Sequence, residues 1–173
     1  MKERAKKVRI VVLDVDGTLT DGKLYIDNNG VESKAFNVKD GMAIAQGTKH
    51  GLIFAIITGK KSNIVEQRAA ELGIVEVHQK ISNKIEVLDK ILLKYELSYE
   101  QVAYMGDDIN DIPTMLKAGF NGAPMDACTD ILSLAHFKAT KDAGHGAVRD
   151  FVEYIMRHQG TWEKVLEEYR NKR

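Results

Sequence analysis

Apolar runs and helical stripes take turns along this chain. Val11, Val12 and Leu13 form an apolar run, β-branched at its first two positions, of the kind a doubly buried strand requires, and it stops at Asp14-Val15-Asp16-Gly17-Thr18. Strand-like runs at 24–26 and 31–36 flank Asp27-Asn28-Asn29-Gly30, and this Asn-Gly turn predicts a small β-hairpin over about 23–36. A helix is expected over about 41–50, closed by Gly51, with a buried strand at 53–57. Ser62 is placed to cap a helix carrying Ile64, Val65, Ala69 and Leu72, with Gly73 as its stop. A short strand near 75–77 precedes a helix opened by Ser82, with Ile85, Leu88, Ile91 and Leu92 on one face. Ser98 and Gln101 make a capping pair for a turn leading into the strand 102–105. Helices over about 110–118, 126–135 and 147–158, with a strand near 120–123, continue the alternation.

Strands alternating with helices at this spacing predict an α/β fold: a Rossmann-like, mostly parallel sheet with helices on both faces and a small hairpin flap. In such sheets ligands bind beyond the C-terminal ends of the strands. Asp14, Thr58 and Asp107 each fall just after a predicted strand, so three polar markers share that edge. Residues 1–160 read as one domain. Beyond Gly160, residues 161–173 form a tail in which Trp162, Val165, Leu166 and Tyr169 make a helical apolar stripe. That stripe has to cover something, either its own domain or a neighbouring subunit.

Composition narrows the class. With 44% hydrophobic and 29% charged residues the chain is an ordinary globular one, and 25 basic against 25 acidic residues leave no global charge to steer it towards nucleic acid. The lone Cys128 excludes an intrachain disulfide and fits a reducing compartment. The basic start, 1–7, is followed by an apolar run that Asp14 interrupts, which is too short for a signal peptide. No stretch reaches the ~18 apolar residues of a membrane span. A cytoplasmic protein is expected.

Four motifs carry chemistry. In Asp14-Val15-Asp16 residues two apart along an extended chain face one way, and two acids aimed at one volume repel unless a cation or a shared proton lies between them. Thr58-Gly59-Lys60 follows a buried strand and leads towards a helix N-terminus, where hydroxyl and amide donors suit phosphate. Lys84 lies near a helix start, against the helix dipole, and so requires a compensating anion. Gly106-Asp107-Asp108-Ile109-Asn110-Asp111 concentrates acid after another strand. Helix capping accounts for Asp107 or Asp108 but hardly both, and hard oxygen ligands suit Mg²⁺. The histidines at 78, 136, 145 and 158 have no metal-site spacing.

These motifs, in this order, resemble the haloacid dehalogenase superfamily of phosphohydrolases over nearly the whole chain. The strings 14–22, 35–41, 106–111 and 144–149 look like its capless 3-deoxy-D-manno-octulosonate 8-phosphate phosphatase subfamily. The spacing agrees, since only the hairpin and one helix fit between Asp16 and Thr58. The resemblance implies Asp14 as nucleophile, Asp16 as general acid and then base, and Thr58 and Lys84 as phosphoryl holders. It implies Mg²⁺ on Asp14, the carbonyl oxygen of Asp16, and Asp107. Asn37, Val38, Lys39, Asp40, Gly41, Lys60, Arg68 and Asn110, with Asp16 and Lys84, match positions that contact the sugar acid or frame the site. At Ala45 and Lys60 the chain departs from relatives that carry arginine. The family further implies a homotetramer in which hairpins associate, and a role in lipopolysaccharide precursor synthesis. A nonulosonate 9-phosphate, or a broader range of sugar phosphates, is the alternative substrate within the same chemistry. A phosphorylatable receiver module is disfavoured by Asp16, which serves turnover rather than storage of a phosphoryl group, and a catalytically silent domain by the completeness of the motifs.

Overall fold

In the computed structural model, which describes residues 1–171, the first apolar run becomes β1 (Ile10–Leu13), buried along its whole length. It is preceded by a short helix, α1 (Lys2–Lys7), which its basic composition did not announce; Ala5 buries into the core and anchors it. The Asn-Gly turn joins β2 (Tyr25–Ile26) to β3 (Glu32–Ser33) in a separate antiparallel hairpin. Next come α2 (Val38–Lys49), β4 (Ile53–Ile57), α3 (Asn63–Glu71), β5 (Glu76–His78) and α4 (Lys84–Tyr95). The second half holds β6 (Val102–Met105), α5 (Ile112–Lys117), β7 (Phe120–Ala123), α6 (Thr129–Leu134), β8 (Phe137–Lys138), α7 (Ala147–His158) and α8 (Trp162–Arg170).

Six strands pair in the order β5-β4-β1-β6-β7-β8, each neighbour parallel. The chain winds outward from β1 in both directions, so the strand order reverses beside β1 and leaves a crevice there. Both sheet faces are buried, which is why the strands read as continuous apolar runs. Val11, Leu13, Phe54, Ile56, Ala103 and Met105 face one core with α2, α3 and α7. Ile10, Val12, Ala55, Ile57, Val102 and Tyr104 face the other with α4, α5 and α6. Only the hairpin and α2 lie between β1 and β4, so no cap domain is inserted there.

Several boundaries moved for local reasons. α2 begins earlier because Asn37 accepts from the Lys39 N–H at 2.8 Å and caps it. α4 is capped by Asn83 rather than Ser82. Ser62 makes no side-chain cap; its own N–H donates to Gln79 Oε1 at 2.7 Å. The short β8 was missed because two residues carry no periodicity. The tail stripe closes on its own domain: Trp162 and Val165 are buried in the α2–α3–α7 core, and Leu166 packs against it. Residues 172 and 173 of the expected tail lie outside the described residues. No described helix is long and apolar enough to cross a membrane.

Candidate active site

The alternation that buries β1 also aims its last polar residue. Val12 faces the α4 side of the sheet, and Asp14, two residues on, continues towards that side as the strand ends. There it meets Lys84, the first residue of α4, whose Nζ donates to Asp14 Oδ1 at 2.9 Å. The same Nζ donates to Asp111 Oδ1 at 2.6 Å and approaches the Tyr104 hydroxyl at 3.3 Å. Tyr104, level with Val12 across the β1–β6 ladder, donates its own proton to Asp111 Oδ1 at 2.6 Å. Burial pulls the Lys84 ammonium down, but Asp14 and Asp111 outweigh it and hold the group above the usual lysine value. The anion that a lysine at a helix start requires is thus present twice.

Asp107 follows β6 by way of Gly106 and accepts from Thr18 Oγ1 at 3.0 Å. Its backbone N–H donates to Asp111 Oδ2 at 3.0 Å, because a single 3₁₀ turn over Ile109–Asp111 folds the chain back on itself. Asp108 caps that turn through the Ile109 N–H, which separates its role from that of Asp107. Carboxylate oxygens of Asp14, Asp107 and Asp111 all lie within 4.8 Å of one another. Burial raises the Asp14 carboxyl to about 6 and the Asp107 carboxyl to about 7, and in both cases neighbouring carboxylates add to the rise. Three clustered acids answered by one ammonium form a set of hard oxygen donors still short of positive charge, which fits a divalent cation such as Mg²⁺. Gly17 keeps the approach open. At φ +89° it turns the chain, and a Cβ there would stand 2.1 Å from Asp107 Oδ2.

Asp16 departs from the parallel projection expected of two acids on a strand. β1 ends at Leu13, and Val15 accepts the N–H groups of Thr18, Leu19 and Thr20, so Asp16 sits in a tight turn. Its carboxylate still lines the cleft, but Lys34 from the hairpin holds it. The carboxylate that joins Asp14 and Asp107 is that of Asp111, to which the sequence pattern alone assigns no role. The signal was its spacing, four residues after Asp107 with Pro113 just beyond, which permits one tight turn before a helix.

Asp14, Asp16, Thr58, Lys60, Asp107 and Asn110 line one cleft of about 250 Å³ at the C-terminal edge of the sheet. Thr58 is buried at the end of β4, its N–H donating to His78 O at 2.9 Å, while Lys60 and Asn110 are exposed at the mouth. The other expected substrate contacts do not line this cleft. Asn37 caps α2 and donates to Gly144 O at 3.2 Å; Asp40 turns inward to the Arg149 N–H at 2.7 Å. Gly41 leaves room for the Arg68 guanidinium, which pairs with Glu71, and Val38 and Lys39 are exposed. Within a single chain Asn37, Asp40, Gly41 and Arg68 line a neighbouring pocket with Leu19 and Phe36.

The model of the haloacid dehalogenase-like hydrolase family matches residues 63–152. A 3-deoxy-D-manno-octulosonate 8-phosphate phosphatase of Salmonella typhi is 42% identical over 162 residues, 94% of this chain and 86% of that one. This chain belongs to the haloacid dehalogenase-like hydrolases, in the branch of the 3-deoxy-D-manno-octulosonate 8-phosphate phosphatases. The crystal structure of the Yersinia pestis phosphatase of that name superposes on this hydrolase with a TM-score of 0.92 at 38% identity, covering 94% of this chain and 88% of the other. The Moraxella catarrhalis phosphatase, solved in complex with magnesium, phosphate and a KDO molecule, superposes with a TM-score of 0.95 at 33% identity, covering 97% of each. The hydrolase keeps every one of the four motifs on one sheet edge.

Proposed function

We propose that this hydrolase is a Mg²⁺-dependent phosphomonoesterase that converts 3-deoxy-D-manno-octulosonate 8-phosphate to the free sugar acid and phosphate, within lipopolysaccharide precursor synthesis. The observation that carries the reading is the buried Asp14–Lys84–Asp111 contact beside Asp107, in a chain 42% identical to a phosphatase of that substrate. Asp14 has Oδ1 engaged by Lys84 and is the nucleophile: it forms a bond to phosphorus as the bond from phosphorus to the sugar oxygen breaks. Asp16 gives a proton to the departing alkoxide, which leaves poorly without one, and then takes a proton from the water that releases phosphate from Asp14. Thr58 and Lys84 hold phosphoryl oxygens, and Lys60 and Asn110 meet the sugar acid at the mouth of the cleft. Asp14, Asp107 and Asp111, with the Asp16 carbonyl, would hold Mg²⁺, which when bound offsets the repulsion between an anionic ester and an anionic nucleophile.

Phosphate release from 3-deoxy-D-manno-octulosonate 8-phosphate, with and without Mg²⁺, tests the reading beside Asp14→Asn. Turnover is expected to require the metal and to fall by about 10³-fold or more in the variant. Undiminished turnover by Asp14→Asn would remove the nucleophile assignment. Comparable kcat/KM on a nonulosonate 9-phosphate would broaden the substrate to the class. We further propose a cytoplasmic homotetramer joined through the hairpins, a reading supported by the exposure of Leu24, Tyr25, Ile26 and Val31. Light scattering on the full chain gives the mass that decides it.

A further inference from the structure

The hairpin carries few anchors of its own. Its strands are two residues each, and its apolar side chains Leu24, Ile26 and Val31 are about three-fifths exposed at 58, 60 and 59%. Against that background Lys34, just after β3, stands out. Its side chain is 3% exposed, and its Nζ lies 2.5 Å from Asp16 Oδ1 and 3.2 Å from Glu32 Oε1. Burial alone would pull this ammonium down, yet its two acidic partners hold it above the usual lysine value. An ammonium so enclosed is fixed by its partners, because leaving it unpaired there is costly. No described donor other than Lys34 reaches the Asp16 carboxylate, so Oδ1 is taken and Oδ2 is left to the cleft that Asp16 lines.

We propose that Lys34 is a positioning residue for the acid–base carboxylate. By engaging Oδ1 it fixes Oδ2 as the oxygen that gives and takes the proton, and it ties that geometry to the base of the hairpin. The inference rests on the proposed role of Asp16. In the first half of the reaction the proton on Oδ2 passes to the sugar oxygen as its bond to phosphorus breaks and the Asp14–phosphorus bond forms. In the second half a proton of the attacking water returns to Oδ2 as the Asp14–phosphorus bond breaks. With Oδ1 held, the carboxyl presents one atom in one orientation. Without Lys34 it samples its rotamers, and a misplacement of about 1 Å in a reacting group costs up to about 10²-fold in rate.

The test compares two esters on the Mg²⁺-loaded full-length protein: an alkyl phosphate, whose leaving alkoxide needs a proton, and p-nitrophenyl phosphate, whose leaving group does not. In Lys34→Met, kcat/KM on the alkyl ester is expected to fall by about tenfold or more, while kcat/KM on the aryl ester changes by less than about threefold, because kcat/KM reports only the first half of the reaction, through departure of the leaving group. The ratio of the two rates is read in one preparation, so loss of folded protein cancels from it. Lys34→Arg, which keeps a charged donor, is expected to hold the ratio within about threefold of wild type. Asp16→Asn is expected to show the same discrimination, more strongly. Equal loss of kcat/KM on both esters, or equal damage by Lys34→Arg and Lys34→Met, would overturn the positioning role. If Asp16→Asn itself treats the two esters alike, the acid role of Asp16 falls first. If Asp16→Asn discriminates and Lys34→Met does not, only the role of Lys34 falls.

Discussion

Asp40 is 1% exposed, its Oδ1 accepts the Arg149 N–H at 2.7 Å, and its Oδ2 has no hydrogen-bond partner among the described residues. Burial lifts its carboxyl to about 6, against the pull of the Arg149 and Gly146 N–H groups and with Asp150 adding to the rise. A folded pKa above the unfolded value means that the native chain keeps a proton the unfolded chain has lost. Stability therefore falls as pH rises from about 4 to about 6 and stays reduced above that, by roughly 3 kcal/mol from this group. Asp40→Asn keeps the acceptor for Arg149 and removes the titration. Urea unfolding at pH 4 and pH 7 should show the difference between variant and wild type moving by roughly that amount in favour of the variant. A constant difference would mean that Asp40 does not titrate in this window. At this scale the sequence pointed to Asp14, Thr58 and Asp107, because polar residues just past buried strands have no packing reason to be there, and to Lys84, because a cation at a helix start opposes the dipole. Asp111 and Tyr104 were not legible. The role of one depends on a 3₁₀ turn, and the other reads as any aromatic in a core strand until its hydroxyl is seen between Lys84 and Asp111.

The last helix shows how an element can be read correctly and still be assigned two possible partners. The stripe in 161–173 predicted α8, but the covering surface is set by where α7 ends. Arg149 lies 4.5 Å above the Trp162 ring and Arg157 5.9 Å, and Trp162 is 2% exposed beneath them. Trp162→Ala should lower the unfolding free energy by about 3–5 kcal/mol, measured by denaturant titration. A loss below about 1 kcal/mol would place most of the value of α8 outside its own domain. Tyr169 extends the seam by hydrogen-bonding with Gln46 of α2 at 3.2 Å. The hairpin is the converse case. Its turn and strands were plain from Asn-Gly and the flanking apolar residues, yet its buried ion pair with the domain, Lys34 on Asp16, joins residues 18 positions apart that no local pattern links.

Across the whole molecule, the clustered Asp14, Asp107 and Asp111 carry more negative charge than Lys84 answers, so a bound cation and the folded state should stabilise each other. Thermal melts of wild type are expected to shift upward with Mg²⁺, by about 2.7 kcal/mol at a hundredfold excess over Kd. Burial and neighbouring acids raise Asp107 to about 7, so at pH 8 its carboxylate costs stability when no metal is bound. Asp107→Asn without metal should then melt no lower than wild type at pH 8, and should lose most of the Mg²⁺-dependent rise. An undiminished rise in the variant would take Asp107 out of the cation set. The sequence by itself determined the alternation of strands and helices, the parallel sheet, and which polar residues stand at its strand ends, because burial on two faces and turn chemistry act over a few residues. Only the tertiary structure decided which acids converge, that Asp16 is held by the hairpin, and that α8 covers its own domain. Those outcomes depend on crossovers that bring positions 14, 84 and 111 to one point, and distance in space is not written in spacing along the chain.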